Sequence, residues 1–339
     1  MRLIFIVFSL VMSLFANEKI LYVYNWSEYM PESVLKDFTK ETGIKVKYST
    51  YDSNEAMYAK VKTAGNSGYD IIVPSTYFVN KMSKEGLLEK IDKSKLSNYK
   101  NLDPKLLSKS FDPNNDYSIP YLWGTTGISY NSSLVKENIN SWKNLWNNEY
   151  KNSILLNDDM REVFGMALKI LGCSANSTNP KEIEEAYNKL KELLPNVKMF
   201  YSESQKQVYL NEEVKLGMNF NGEGFMANEE NENIKYIYPK EGALVWVDSL
   251  VIPKGAKNLE NAHKFINFLL KPEVAKVISE EIGYATPNAK TLELLDEKTK
   301  NNRIIYPNEE DLKNSEFQMD VDEVLPVYEK YWEMLKTSK

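Results

Sequence analysis

The stretch ILYVYNWSEYMPESVLKDFTKETGIKVKYSTY, residues 20–51, reads as strand, helix, strand. Residues 20–24 are almost all β-branched, aromatic or aliphatic, the composition of a strand packed on both sides. The helix 31–42 carries its own punctuation: Pro31 in the first turn, Val34, Leu35 and Phe38 at helical spacing, and Gly43 just past the end. Strand 44–51 follows, then a helix 54–64 closed by Gly65, a strand 69–74 and a helix 77–85. This βαβαβα order predicts a doubly wound α/β domain with a largely parallel sheet.

Beyond a polar loop at 112–116, two short strand-like runs, 118–122 and 127–130, mark a first crossover. A second α/β series then begins. It comprises a strand at 154–156, helices at 159–171 and 181–194, the latter stopped by Pro195, and strands at 215–220 and 234–238. The run 243–252 is the second crossover, followed by a helix 259–270 with Ala262, Phe265, Ile266 and Leu269 on one side. A C-terminal helix, 320–337, offers Val324, Val327, Tyr328 and Trp332 for packing. At 339 residues the chain exceeds what one core usually serves. The expectation is two lobes, 17–123 with 247–293 and 124–246 with 294–339.

Residues 1–16 open with Arg2, run apolar and close on Ala16, the pattern of a cleavable secretory signal peptide. The apolar run is shorter than the roughly 20 residues of a membrane helix. A lipid anchor would need a cysteine just after the cut, whereas the single cysteine is Cys173. The expected product is soluble, exported to the periplasm, without internal disulfides and monomeric. With 42 basic and 48 acidic residues, net charge −6, nothing suggests a nucleic-acid partner.

Trp26-Ser27-Glu28 and Trp246-Val247-Asp248 each set an indole two positions before an acid at a strand end. In extended chain such residues share a face, so an ammonium group arriving there meets a ring face and a carboxylate together. The structural alternative is a core Trp beside a surface acid. Asp159 and Glu162 lie three apart at a helix start, where acids also serve to offset the macrodipole. They follow the C-terminal end of a strand, the place where open α/β sheets bind ligands. Ser75 and Tyr77 have the same placement after the strand ending at Val73, although a plain N-cap also explains Ser75. Tyr284 sits in a turn-rich segment where a tyrosine often only covers a loop.

Several chemistries drop out. The fingerprint Gly222-Glu223-Gly224-Phe225-Met226-Ala227 would set a negative charge against a pyrophosphate and does not fall in the first βα unit. The loop Asp112, Asn114, Asp116 starts like a calcium loop, but Tyr117 and Trp123 stand where glycine and glutamate are needed. One histidine, His263, on an amphipathic helix, and one cysteine cannot build a histidine-based metal cluster, and they give little support for a nucleophilic triad. No metal or cofactor is expected. A carboxylate-pair hydrolase remains compatible with composition, but leaves the two Trp and acid pairs without a shared purpose.

Over essentially its whole mature length the chain resembles the spermidine/putrescine-binding periplasmic proteins that feed ABC-type polyamine importers. The resemblance is carried by Tyr24-Asn25-Trp26-Ser27-Glu28-Tyr29, Val73-Pro74-Ser75-Thr76-Tyr77, the segment 111–121, Asp158-Asp159-Met160-Arg161-Glu162-Val163-Phe164, Trp246-Val247-Asp248-Ser249-Leu250 and Ile282-Gly283-Tyr284. It implies a type II periplasmic-binding-protein fold, two α/β lobes joined by crossover strands, with the amine in the interlobe cleft. It also implies aromatic walls from Trp26, Tyr29, Tyr77, Trp246 and Tyr284, ammonium contacts from Glu28, Asp159, Glu162 and Asp248, and hydrogen bonds from Ser27, Ser75 and Gln318. Phe220 stands where the spermidine-preferring pattern has Trp, and Ser27 where it has Thr, which leaves the choice of amine open. The implied partner is an inner-membrane polyamine permease. A receptor for another organic cation, such as thiamine, is the alternative.

Overall fold

The computed structural model describes residues 19–63 and 68–339. The expected signal peptide and Gly65 lie outside them. The chain starts as its sequence suggests, with β1 (Ile20–Trp26), α1 (Glu32–Thr42), β2 (Lys45–Tyr51), α2 (Asn54–Thr63), β3 (Ile71–Ile72), α3 (Thr76–Lys84) and β4 (Leu88–Glu89). Gly43 ends α1 in the left-handed region at φ 70°, its N–H bonded to Thr39 O at 2.8 Å. The strand expected at 69–74 shortens to β3, and Pro74 and Ser75 are left free to turn into α3.

The two runs expected around residue 120 are one 14-residue strand, β5 (Ser118–Asn131). At about 3.3 Å per residue such a strand is about 45 Å long, enough to belong to both lobes. The second series follows: β6 (Ile154–Leu156), α4 (Met160–Ile170), α5 (Pro180–Leu193), β7 (Val197–Phe200), α6 (Gln205–Leu210), β8 (Leu216–Phe220), α7 (Asn221–Glu230) and β9 (Ile234–Ile237). The return crossover β10 (Leu244–Pro253) leads to α8 (Leu259–Leu269), α9 (Pro272–Ile282), β11 (Glu316–Phe317) and the C-terminal helix Leu325–Thr337.

The main sheet path is β2-β1-β3-β10-β5-β8-β6-β7, with β4 and β11 joined to β10 and β9 joined to β5. Pairing is parallel at both ends, whereas β10 and β5 run antiparallel to each other through the middle. One sheet thus threads both lobes, and its central pair is the junction. On one side Leu21, Phe38, Ile71, Leu250 and Phe265 form a core, while Ile128, Trp142, Phe164, Leu216 and Tyr328 form the other. The C-terminal helix joins the second core through Tyr328 and Leu335, with Val324, Val327 and Trp332 partly buried beside them.

Where the crossing strands meet, Gly124 lies against the Trp246 indole. A Cβ there would sit 2.6 Å from Trp246 Cη2 and closer still to Asn221 Oδ1. Asn221 Oδ1 already accepts from Thr125 N at 3.0 Å, while its Nδ2 donates to Ile304 O at 2.8 Å. Neither neighbour can yield without breaking these contacts. Gly124→Ala is therefore expected to lose about 1–3 kcal/mol to overpacking, read as a lower urea midpoint at unchanged slope; an unchanged midpoint would refute this account of the junction.

Candidate functional site

A cavity of about 340 Å³ opens between the lobes, within the roughly 300–1,000 Å³ of small-molecule sites. Twelve of the thirteen residues singled out above line it: Trp26, Ser27, Glu28, Tyr29, Ser75, Asp159, Glu162, Phe220, Trp246, Asp248, Tyr284 and Gln318. Tyr77 does not. It is buried behind the cavity with Phe78 and the Arg161 guanidinium against its ring, and its hydroxyl accepts from Asn54 Nδ2 at 3.2 Å. There it holds Asn54, which does line the cavity.

Asp248 sits at a bulge in β10, where pairing with β5 shifts register between Asp248 and Ser249. The bulge brings Asp248 opposite Ser75 in an isolated antiparallel bridge. Ser75 Oγ donates to Asp248 Oδ1 at 2.6 Å and Tyr29 OH to Oδ2 at 2.8 Å. Asn54 takes the Ser75 backbone N–H at 3.1 Å and donates to its Oγ at 3.2 Å, so the hydroxyl proton is left for Asp248. Even with both donors, burial pushes the Asp248 carboxyl up to about 7, the hydrogen bonds from Ser75 and Tyr29 only partly offsetting it.

Asp159 is the N-cap of α4 and accepts from Arg161 N at 2.8 Å and Glu162 N at 3.0 Å. The capping explanation of this acid is therefore true, and Asp159 lines the cavity as well. Glu162, one turn on, is 3% exposed and its Oε2 has no partner. Burial, with Asp159 adding to it, holds the Glu162 carboxyl well above the usual range. Gln318 is equally buried, with Nε2 unpartnered. Its backbone bridges the lobes: N–H to Val245 O at 2.8 Å, and carbonyl from Thr76 Oγ1 at 2.6 Å.

The rings form a continuous edge-to-face series. Tyr29 meets Tyr284 at 5.5 Å, Tyr284 meets Trp246 at 5.2 Å, and Trp246 meets Phe220 at 5.9 Å. Each contact holds its rings by about 0.5–1.5 kcal/mol beyond burial. Both indole N–H groups are used by the protein, Trp26 Nε1 on Val73 O at 2.9 Å and Trp246 Nε1 on Thr126 Oγ1 at 3.3 Å. Gly222 lets the start of α7 approach Tyr284, since a Cβ there would stand 2.5 Å from the ring.

Strand alternation sets Trp246 and Asp248, both within β10, on one face, but it does not act on Trp26 and Glu28. Strand β1 stops at Trp26, and Glu28 has a left-handed φ of 52°. The turn, not the pleat, brings Glu28 to the cavity. Tyr51, Asp52, Asn54, Asp158, Glu203 and Glu223 also line it without having been foreseen. Tyr51, Asp52 and Asn54 lie at the C-terminal end of β2 and the start of α2, the location that had drawn attention to Ser75 and Asp159. His263 lies elsewhere with both ring nitrogens engaged: Nε2 accepts from Asp92 N at 3.0 Å, leaving Nδ1 to donate to Leu259 O at 2.7 Å. Asp112 binds its own loop, accepting from the backbone N–H groups of Asp116, Tyr117 and Ser118.

A family profile described as bacterial extracellular solute-binding protein matches residues 33–305. The chain is a bacterial extracellular solute-binding protein. The binding protein is 55% identical over 320 residues to the spermidine/putrescine-binding periplasmic protein of Escherichia coli K12, covering 94% of this chain and 92% of that one. It is 44% identical to spermidine/putrescine-binding periplasmic protein 1 of Haemophilus influenzae, covering 96% and 90%. A solved structure, the spermidine/putrescine ABC transporter substrate-binding protein of Streptococcus pneumoniae, superposes with a TM-score of 0.81 at 44% identity over 94% of this chain and 99% of that one.

Asp248 also makes the empty protein pH-sensitive. Its carboxyl holds a proton up to about 7 when folded, against an ordinary value of 3.8. Between those values the folded form binds more protons than the unfolded, so stability present at low pH is lost as pH rises through the window. Asp248→Asn is expected to stabilise the ligand-free binding protein at pH 8, by at most roughly 4 kcal/mol at 1.36 kcal/mol per pH unit, and to leave it unchanged near pH 4. Denaturant melts at both pH values check this, and a variant less stable at pH 8 would contradict it.

Proposed function

We propose that this protein captures a polyamine, spermidine or putrescine, between its lobes and delivers it to an ABC-type permease in the inner membrane. The observation that carries the reading is the make-up of the cavity: among the described residues eight carboxylates and six aromatic side chains line it, and no Lys, Arg or His does. Such a surface is incomplete without a cation. A polyamine is a row of ammonium groups joined by methylenes, whose charges can pair with buried acids such as Asp248 and Glu162, Asp158 being already paired with Lys336, while its apolar links lie against ring faces. Trp26, Tyr29, Phe220, Trp246 and Tyr284 would serve as walls, Glu28, Asp159, Glu162 and Asp248 as ammonium contacts, and Ser27, Ser75 and Gln318 as hydrogen-bonding groups.

Buried acids without a counter-ion resist closing of the empty cleft, and a cation reverses that balance. Ligand-driven closure follows, with the crossing strands and the Gln318 strap as the hinge. The lobes are assigned as 17–123 with 247–293 and 124–246 with 294–339. The relatives' names support a periplasmic location, reached by removal of residues 1–16, and presentation of both lobes to a permease suits a monomer.

Calorimetric titration of protein refolded free of ligand with putrescine, cadaverine, spermidine, spermine and thiamine tests the reading. Spermidine or putrescine is expected to bind, Asp248→Asn to weaken binding by about 2–5 kcal/mol, and His263→Gln to leave it unchanged. Heat from thiamine alone would favour a receptor for another organic cation, and absence of heat with every amine would refute the proposal.

A further inference from the structure

Of the carboxylates that line the cavity, Asp158 alone is ion-paired with a protein cation among the described residues, its Oδ1 lying 2.5 Å from the Lys336 ammonium. Lys336 belongs to the last turn of the C-terminal helix, 178 residues further along the chain. A lysine in that place ordinarily offsets the helix dipole. Here its ammonium also stands 4.8 Å from the centre of the Phe200 ring and 5.3 Å from that of Trp332, two rings that meet edge to face at 5.4 Å. Asp158 is fixed in turn by its backbone N–H, which donates to the Oγ of Ser202, another cavity residue, at 2.8 Å.

A lysine side chain is four methylenes ending in an ammonium group, the aminobutyl unit that putrescine and spermidine also contain. Carboxylate, ring faces and aminobutyl group thus reproduce, at the margin of the cavity, the chemistry that the polyamine reading gives its interior. The Lys336 and Asp158 side chains are 33% and 46% exposed, and a pair so open to water contributes little to stability. Its larger consequence is for the cavity. Asp158 is withdrawn from the acids that an arriving amine can use, and the ammonium already there repels a second one.

We infer, on the polyamine reading above, that Lys336 is a tethered occupant of the Asp158 position, a specificity-determining residue that denies this carboxylate to a further ligand ammonium and limits how many charges the cleft accepts. The other acids serve a diamine or a triamine. A tetraamine such as spermine brings its additional ammonium against Lys336 or leaves it unpaired.

The test is calorimetric titration of wild type, Lys336→Met, Lys336→Arg, Lys330→Met and the double variant Lys336→Met with Asp158→Asn, using putrescine, spermidine and spermine. Methionine keeps an apolar stem beside the two rings and the helix propensity while removing the charge. Lys336→Met is expected to raise spermine affinity about three- to fivefold and putrescine affinity less than about 1.5-fold. Lys336→Arg, which keeps the pair, is expected to match wild type, and the double variant to lose the gain, because the two side chains act as one unit. Lys330, on the same helix, has its ammonium over the Tyr331 ring instead, so Lys330→Met is expected to change nothing. A lysine that only anchors the helix would lower the urea midpoint of Lys336→Met and shift every amine alike. An unchanged spermine-to-putrescine ratio in Lys336→Met, a gain that survives in the double variant, or an equal gain in Lys330→Met overturns the inference and leaves the receptor reading intact. Wild-type protein that binds none of the amines overturns both.

Discussion

The arrangement depends on one costly act, the burial of the Asp248 carboxylate on the strand that joins the lobes. A carboxylate taken out of water without a counter-ion is expensive, and two neutral donors only reduce the cost. The fold meets this requirement with an ordered chain of polar contacts, Tyr77 to Asn54 to Ser75 to Asp248 to Tyr29. Each member fixes the direction of the next. The chain leaves the carboxyl well placed yet without a counter-ion, so that an arriving cation displaces its proton and pairs with the carboxylate.

The position of Asp248 makes that condition mechanical as well as chemical. β10 and β5 pair antiparallel across the junction, so a charge at their bulge lies where the two lobes meet. Gly124 lets Trp246 lie flat on the crossing, and Gly222 lets α7 reach Tyr284. These two small residues allow aromatic plates from different lobes to form one edge-to-face series. Gln318, tied to Thr76 in one lobe and Val245 on the crossing strand, closes the remaining side.

Much of this was legible before the structure. The 2- and 3.6-residue periods gave the alternating elements, and the run 243–252 stood out as a crossover because it is apolar apart from Asp248 and Ser249. The matching crossover was harder to read. Gly124 and the threonines after it interrupt the strand signal, yet Gly124 is there for a tertiary contact that no local pattern records. Helix α7 was missed because glycines and acids, rather than an apolar stripe, make up its first turns. The burial of Tyr77 behind Asn54 could not be read locally, because an aromatic ring after a strand end looks the same whether it lines a cavity or supports a residue that does. Glu28 was placed correctly for a reason that does not hold, since a left-handed turn does what alternation was asked to do.

The central claim is that the cleft's acids hold protons in the empty state and give them up to a cation. The most direct measurement is the number of protons released on binding, from calorimetry at pH 7 in two buffers of different ionisation enthalpy. With Asp248 raised to about 7 and Glu162 held well above the ordinary carboxylate range by burial and by Asp159, release of a substantial fraction of a proton per amine bound is predicted. Binding with no proton exchanged at pH 7 would mean that these carboxyls are already ionised in the empty cleft, and would contradict the account.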